Sequence, residues 1–315
     1  MPRVTVIIAT YNWATVLPFS IASVLDQTFT DFELLVIGDG CTDESAEVVE
    51  AVDDPRVRWL NLAGNVGHQS GPNNEGLRRA AGDVVAYLGH DDVWLPRHLE
   101  SLVGALDGST GRGARLAHAT TLLVEPGEPP SRWPTHGWRY RPGVWIPPTS
   151  MAHDRDLAVA VGGWHGPRDT GTLDPEAELW QRMAQASTAP RWVRRTTCVK
   201  LSAALRRGVY RDRPHDEQEE WLRNIRSHAD PEAEFERLYP ESATRHRTFT
   251  QRTVERARDA VALRTRLRRI GLLAEVADTG PTAEERRLAY RVVKGLDDPA
   301  GDGTPTRGPG PLPRG

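Results

Sequence analysis

The sequence predicts an α/β protein built on a mainly parallel sheet with helices on both faces. Strand-like and helix-like segments alternate through the N-terminal part of the chain, and the strand-like segments are largely apolar. Val4–Ala9 and Phe32–Ile37 are typical of strands that are covered on both faces, because few polar residues interrupt them. This alternation of strands and helices favours strands that run parallel to one another.

The other elements of the first half follow in the same order. Apolar residues at helical spacing, and acidic residues in a first turn, predict helices over Leu17–Leu25, Asp43–Val52 and Asn74–Ala81. Further strands are predicted over Val57–Leu62 and Asp83–Leu88.

The second half of the chain is less regular and then becomes helical. Strand-like runs lie at 116–124 and 191–201, and helices are predicted over Asp216–Ser227, Pro231–Tyr239 and Phe249–Ile270. Asp230, directly before Pro231, is the expected N-cap of its helix. We therefore expect a sheet domain at 1–205 (halves 1–115 and 116–205), a helical extension at 206–296 and a disordered tail at 297–315.

The composition excludes several classes of protein. Of the 315 residues, 26% are charged, and the formal net charge is -3, so no overall cationic field would attract nucleic acid. Cys41 and Cys198 are too few for a disulfide framework. No apolar run approaches the roughly 18–20 residues that span a bilayer, and the N-terminus has no signal-peptide pattern. We expect a cytoplasmic protein with no nucleic-acid partner.

Polar residues follow three of the predicted strands. The first strand ends in Thr10-Tyr11-Asn12, the second in Gly38-Asp39-Gly40, and the fourth in Gly89-His90-Asp91-Asp92. Ligands of open parallel sheets bind beyond such carboxyl ends, where an aromatic ring can stack on a base and paired carboxylates can hold Mg²⁺ or Mn²⁺. Each feature alone is more often a turn, a cap or a solvated acidic pair. Their joint occurrence favours a nucleotide site.

Three ordered motifs resemble a known family. A strand ending in Thr-Tyr-Asn, a Gln-Thr followed by a strand and Asp-Gly-x-x-Asp, and an Asn-x-Gly segment leading to a strand with paired aspartates are together similar to family 2 glycosyltransferases. The resemblance covers roughly residues 3–205. It implies the GT-A fold, a nucleotide-diphosphate sugar donor, a Mn²⁺ or Mg²⁺ cofactor and sugar transfer with inversion.

The resemblance also implies roles for single residues. Those placed at the donor are Thr10, Tyr11, Asn12, Asp39, Asn65, Asn74 and Asp91; those placed at the metal are Asp91, Asp92 and His215. Thr10 and Tyr11 would line the base and Asp39 would recognise it, whereas Asp92 would be the direct metal ligand. The sequence departs from the family in two places. Gly89 stands where the family has a further aspartate, and Asn73 stands where it has an arginine.

The catalytic base of this family lies in an acidic segment that opens a helix after a Gly-Gly-aromatic turn. Gly162-Gly163-Trp164 provides such a turn here, and the residues from Asp174 to Arg182 resemble the acidic segment. The register makes Glu176 the expected base and Asp174 the reserve. A simpler interpretation is that Asp174 caps the helix, Pro175 is its first residue and Glu176 favours the helix dipole.

Two further features have open interpretations. Trp133, Trp138 and Trp145 lie in a Pro-rich stretch and could stack on a sugar acceptor or simply pack a loop. Seven arginines interleave with apolar residues at 251–270, which is typical of a basic helix that rests on an anionic membrane or packs on a partner.

The family comparison separates single-transfer enzymes from processive synthases. We find neither the Gln-x-x-Arg-Trp motif nor the membrane segments of the synthases, so a single, non-processive transfer is expected, to a glycan, lipid-linked or small-molecule acceptor. The alternative is a binding module whose chemistry has decayed, which Gly89 and Pro175 would favour. A nucleotidyltransferase ranks below both, because no Gly-rich phosphate loop follows the first strand.

Overall fold

The computed structural model describes residues 1–108, 114–135, 139–171, 173–187, 190–203, 206 and 209–241. Trp138, the predicted helix Phe249–Ile270 with its basic residues 251–270, and the predicted tail 297–315 lie outside the described residues.

The first half of the chain forms the predicted parallel sheet. Its strands are β1 (Val4–Thr10), β2 (Phe32–Gly38), β3 (Val57–Asn61) and β4 (Val84–Gly89), in the spatial order β3-β2-β1-β4 with every pair parallel. The helices between them are α1 (Leu17–Leu25), α2 (Ser45–Glu50) and α3 (Ser70–Arg79). The predicted order of elements is confirmed.

Helix α3 begins four residues before the predicted start at Asn74. Its first turn contains Gly71 and Pro72, two residues that usually interrupt helices. Pro72 is tolerated there because the amides of a first turn have no partner inside the helix. The polar residues of this turn are buried, and a sequence pattern cannot predict that.

The second half extends the sheet with antiparallel and parallel partners. The strands are β5 (Val93–Trp94), β6 (Leu116–Val124), β7 (Ser131–Trp133), β8 (Met151–Asp154) and β9 (Arg191–Leu201). The helices are α4 (His98–Asp107), α5 (Arg155–Ala160), α6 (Pro175–Gln185), α7 (Val209–Asp212), α8 (Asp216–Arg226) and α9 (Pro231–Leu238), with a 3₁₀ turn at Pro148–Ser150. The order continues β4-β8-β6-β9-β5, and β7 pairs with β6.

Both faces of the sheet are buried, as the apolar strands predict. Successive residues of β1 point to opposite faces. Val6 and Ile8 join the cluster beneath α1 and α4, whereas Ile7 joins the cluster formed with α3 and α6. Trp164 and Trp180, both 1% exposed or less, belong to the second cluster. Burial on both sides fixes the sheet and the positions of its strand ends.

Helices α8 and α9 pack on the far edge of the sheet. Ile225 and Phe235 join Val93 and Val199 in a separate buried cluster. The predicted N-cap is confirmed, since the Asp230 carboxylate accepts a hydrogen bond from the Ala233 amide at 3.2 Å. The domain boundary predicted at residue 205 stays a prediction. Among the described helices, none is long and apolar enough to cross a bilayer.

Two glycines differ sharply in the space around them. A Cβ on Gly82 would lie 2.6 Å from the Thr5 amide nitrogen, whereas a Cβ on Gly104 in α4 would meet no atom within 4 Å. We expect Gly82→Ala to lower the free energy of unfolding by about 1–3 kcal/mol, because the backbone of β1 cannot move aside. Gly104→Ala should raise it by up to about 1 kcal/mol. Urea denaturation measures both, and equal effects would contradict the packing.

Candidate functional site

A cavity of about 470 Å³ opens at the carboxyl ends of β1 and β4. These strands are parallel neighbours, but after β1 the chain continues to β2 on one side of the pair, and after β4 it continues on the other side. At such a reversal of strand order an open sheet binds its ligands. The polar residues that line it are Gln69, Asn73, His90, Asp91, Asp92, Glu125, Thr149, Glu176, Lys200 and Ser202. The structure therefore brings together Asp91, Asp92 and Glu176, which the sequence assigns to metal and base.

A tight turn after β4 places the paired aspartates. The Asp92 amide donates to the Gly89 carbonyl at 3.1 Å, which folds the Asp92 side chain back over Gly89. A Cβ at position 89 would lie 2.6 Å from Asp92 Oδ2. A side chain at position 89, such as the carboxylate that the family carries there, would therefore displace the Asp92 carboxylate from this arrangement.

His90 and Asp91, the other two residues of this turn, also contact neighbouring elements. The His90 Nδ1 lies 3.1 Å from the Ala9 carbonyl oxygen, and the ring stacks on Trp13 at 4.4 Å. Burial lowers the pKa of His90, so the ring is neutral near pH 7. Asp91 is 8% exposed, and its backbone carbonyl accepts a hydrogen bond from Gln218 of α8 at 3.2 Å.

Asp92 is fully buried and carries an ion pair with Lys200 of β9. Its Oδ2 accepts from Lys200 Nζ at 3.1 Å, and its Oδ1 accepts from the Leu201 amide at 2.9 Å. Burial raises the pKa of Asp92 to about 6, an effect that the positive charge of Lys200 opposes. Burial also disfavours the charged lysine, but the carboxylates of Asp92 and Asp91 outweigh it and raise the pKa of Lys200. Lys200 is therefore an ammonium.

Lys200 has no role among the residues predicted from the sequence, where 191–201 is expected only to form a strand. A usable signal was present, because Lys200 and Lys294 are the only lysines among the 40 basic residues of the chain. Lys200 also lies in the most buried part of β9, next to Val199 and Leu201, where an unpaired charge would be costly.

The predicted divalent cation does not fit this donor set. Mn²⁺ and Mg²⁺ need several oxygen ligands with free lone pairs. Each Asp92 oxygen already accepts a hydrogen bond, one of them from the Lys200 ammonium, whose positive charge opposes a nearby cation, and position 89 carries glycine in place of a third carboxylate. Within the described residues, no group of three or more His, Cys, Asp or Glu side chains is arranged to hold a metal ion.

Glu176 is held by two side chains at the opposite wall of the cavity. Its Oε1 accepts from Trp145 Nε1 and its Oε2 from Gln69 Nε2, each at 2.9 Å. Burial, and then the nearby charge of Asp174, raise the pKa of Glu176. Asp174 occupies the N-cap position of α6 with Pro175 as the first helical residue, but its side chain makes no capping hydrogen bond to the helix. Asp174 is exposed and does not line the cavity.

The helix that carries Glu176 is tied to the rest of the fold through the Gly-Gly-Trp turn. Asn74 of α3 donates to the Trp164 carbonyl and accepts from the Trp164 amide, each at 2.8 Å. Arg182 of α6 donates to the Gly163 carbonyl at 2.6 Å. Both atoms of the Asn74 amide are engaged in this way, so the structure places Asn73, and not Asn74, at the cavity.

Asp39 anchors a loop beside the cavity. It is 4% exposed, and its two oxygens accept from the amides of Val66 and Gly67, each at 2.8 Å. Gly40 has a φ of +72° and approaches the Gly64–Asn65 backbone so closely that a Cβ would lie 2.6 Å from the Asn65 nitrogen. The predicted donor residues Asp39 and Asn65 therefore share one loop junction, where Asp39 organises the backbone.

The other predicted donor residues lie at the end of β1. Asn12 has a φ of +55°, and its Oδ1 accepts from the Thr42 amide at 2.7 Å, which connects the ends of β1 and β2. Tyr11 is 36% exposed. The Thr10 hydroxyl is buried and has no hydrogen-bond partner in the described part of the chain.

Two predictions concern residues further along the chain. His215 stacks on Phe19 of α1 with ring centroids 5.6 Å apart and does not line the cavity, so the structure does not bring it to the paired aspartates. Trp145 lines the cavity, and Trp133 Nε1 donates to the Trp145 carbonyl at 3.3 Å. The Pro-rich stretch thus supports Glu176, a contact that the sequence did not predict.

Comparisons with known proteins agree on the kind of fold. The profile of the family described as "Glycosyl transferase family 2" matches residues 5–114. An uncharacterized glycosyltransferase of Nostoc sp. is 39% identical over 103 residues, which are 32% of each chain. The GalNAc(5)-diNAcBac-PP-undecaprenol beta-1,3-glucosyltransferase of Campylobacter jejuni is 34% identical over 108 residues, 33% of this chain and 34% of the relative. The match thus spans about a third of each relative's length.

The similarity to solved structures covers more of the chain. The crystal structure of S. aureus TarS 1-349 in complex with UDP-GlcNAc matches with a TM-score of 0.51 at 17% identity, over 94% of this chain and 91% of that chain. This match supports the fold, which is the expected GT-A arrangement of a mixed sheet with flanking helices.

The two hydrogen bonds that Asp39 accepts predict that its replacement by asparagine lowers the stability of the protein. In Asp39→Asn one side-chain oxygen is replaced by an NH₂ group, which would face a backbone N–H. We expect the free energy of unfolding to fall by about 1–3 kcal/mol. Asp53→Asn, at an exposed position, is the control and should change it little. Thermal and urea unfolding measure the difference; an Asp39→Asn variant as stable as the control would contradict the anchoring role.

Proposed function

We propose that this chain, whose residues 5–114 match the profile of glycosyl transferase family 2, transfers a sugar from a nucleotide-diphosphate donor to an acceptor hydroxyl, with inversion. One observation carries the proposal most directly. A carboxylate, Glu176, and a buried ion pair, Asp92–Lys200, line the same cavity at the carboxyl ends of β1 and β4. Such a transfer requires a base that takes the proton of the acceptor and a charged group that stabilises the leaving diphosphate.

Glu176 is the proposed base. A base must be ionised to accept a proton, and its strength rises with its pKa; burial raises the pKa of Glu176, and the positive charge of Lys200 favours its ionised form. Trp145 and Gln69 fix the carboxylate by one hydrogen bond to each oxygen. Each oxygen retains a lone pair for the acceptor. As the acceptor oxygen bonds to the anomeric carbon, its proton passes to Glu176 and the bond to the diphosphate breaks.

The donor is proposed to enter between the ends of β1, β2 and β4. Tyr11 offers an exposed ring for a base, and Asp39 with Asn65 forms the adjoining loop. The diphosphate would then lie near Asp91, Asp92 and Lys200. TarS, whose fold this chain shares, is described in complex with UDP-GlcNAc, which supports uridine nucleotides as the first donors to test.

The wider assignments are also proposals. Three of them rest on the sequence: the acceptor class, a single non-processive transfer, and a cytoplasmic location with membrane contact through 251–270. The Campylobacter relative is named for a lipid-linked substrate, which supports a lipid-linked acceptor here. The sequence also predicts Mn²⁺ or Mg²⁺ as a cofactor, and the assay below should be run with and without Mn²⁺.

A decayed binding module remains the second candidate, because Gly89 removes a carboxylate of the family motif. Such a module would bind a nucleotide sugar without consuming it. Release of nucleoside diphosphate from UDP-sugars separates the two candidates, with Asp92→Ala as the inactive comparison.

Replacement of the base should abolish turnover while donor binding persists. Glu176→Gln keeps the size and one of the two accepting oxygens but cannot accept the proton, so we expect kcat to fall about 10²–10⁴-fold with KM for the donor little changed. The measurement is UDP release from UDP-glucose and UDP-N-acetylglucosamine with p-nitrophenyl glycosides as acceptors. Glu219→Gln on exposed α8 is the matched control. A Glu176→Gln enzyme with undiminished kcat would refute the assignment.

The charge of Asp174 should be visible in the pH dependence. Asp174 raises the pKa of Glu176, so Asp174→Asn should lower that pKa and move the acid limb of kcat to lower pH. An unchanged or raised limb would show that Asp174 does not act on the base, and a complete loss of activity would instead favour Asp174 as the base itself.

A further inference from the structure

Lys200 occupies the place where the family resemblance puts a divalent cation. Its Nζ lies 3.1 Å from Oδ2 of Asp92, the predicted direct metal ligand, and the lysine lines the cavity together with Asp91 and Glu176. The Lys200 side chain is 20% exposed, so it is largely buried, and its exposed part faces the cavity that it lines. A positive charge is thus already fixed beside Asp92 in the cavity that would take the donor.

The turn after β4 is built around this pair. Asp92 has no exposed surface, and its second oxygen is held by the Leu201 amide, next to the lysine in sequence. Asp92 approaches Gly89 so closely that a side chain at position 89 would displace the Asp92 carboxylate from its pair with Lys200. A divalent cation bound to Asp92 would lie next to the Lys200 ammonium, whose charge repels it, and would gain only Asp91 as a further acidic ligand from this turn.

The chemistry of the lysine suits a diphosphate. An ammonium has three N–H donors, and within the described residues Asp92 is the only hydrogen-bond acceptor of Nζ. Two donors therefore remain for phosphate oxygens. The chain uses arginine for nearly all its other positive charges, and lysine differs from arginine in being a compact point charge. Arg213 supplies a second positive charge that acts on the neighbouring His90.

We propose that the ammonium of Lys200, and not a carboxylate-held divalent cation, meets the donor diphosphate in this protein. The inference rests on the proposed function, since it requires a nucleoside diphosphate in the cavity. Lys200 remains bonded to Asp92 and donates its other two N–H bonds to the diphosphate. When the bond from the anomeric carbon to the diphosphate oxygen breaks, its electron pair stays on that oxygen, and Lys200 keeps its protons throughout.

Binding of Mn²⁺ tests the proposal without any activity. Free Mn²⁺ is followed by electron paramagnetic resonance in the wild-type protein and in Lys200→Met. The wild type should bind Mn²⁺ weakly, whereas Lys200→Met leaves the aspartates without their counter-ion and should bind it at least about tenfold more tightly. Tight, stoichiometric Mn²⁺ binding by the wild type would overturn the proposal.

Binding of UDP and GDP, measured by calorimetry in EDTA and again in Mn²⁺, is the second arm. The wild type should bind one nucleotide with nearly the same Kd in both buffers. Lys200→Met should bind at least about tenfold more weakly in EDTA, and Lys200→Arg should recover part of the loss. Arg223→Met, which removes an exposed positive charge from α8, is the matched control and should bind as the wild type does.

The outcomes separate this inference from the function beneath it. Nucleotide binding that requires Mn²⁺ would overturn the role of Lys200 and leave the transferase intact. Absence of binding by either nucleotide in both buffers would contradict the donor site and this inference together. If Lys200→Met does not fold, which circular dichroism detects, Lys200→Arg and the wild-type Mn²⁺ titration still decide the question.

Discussion

The buried ion pair between Asp92 and Lys200 joins the two halves of the sheet at the point where the cavity forms. Asp92 follows β4 of the parallel half, and Lys200 lies near the end of β9 in the second half. Removing one partner of a buried pair typically costs about 3–5 kcal/mol, because the other charge is left without compensation. The turn that holds Asp92 therefore cannot relax independently of β9. Its geometry, including the close approach to Gly89, sets the floor of the cavity.

A second set of contacts places the opposite wall. Asn74 and Arg182 hold the Gly-Gly-Trp turn through its backbone, so α3 and α6 keep a fixed relation. Gln69 directly precedes α3 and bonds to Glu176 in the first turn of α6. A carboxylate carried on rigid helices and held at both oxygens has little freedom to reorient. The cavity is thus lined by the Asp92–Lys200 ion pair and by the fixed carboxylate of Glu176, which is the arrangement that group transfer needs.

Much of the fold was predictable because its signals are local. The apolar runs of β1, β2 and β4 and the capping residue Asp230 depend on neighbouring residues and on a repeating pattern. The sequence placed Asp91, Asp92 and Glu176 at one site for the same reason, since each lies at the end or start of a recognisable element. Family resemblance then supplied their roles.

The rest depends on pairings between distant segments, which no periodicity reveals. Lys200 lies 108 positions from Asp92, and nothing in β9 alone indicates the partner. Asn74 was expected at the donor, but the start of α3 at Ser70 turns it toward Trp164 and leaves Asn73 at the cavity. His215 was expected at the metal and lies instead against Phe19. In each case a tertiary contact determines where the side chain lies.

Crystals grown with UDP and Mn²⁺, with data collected at the manganese absorption edge, would test the cavity most directly. We expect a diphosphate at the ends of β1 and β4, with Lys200 Nζ within hydrogen-bond distance of its oxygens and no anomalous peak beside Asp92. A manganese peak bridging Asp92 and the diphosphate, with Lys200 displaced, would contradict the role of the lysine. A nucleotide bound elsewhere on the protein would contradict the site itself.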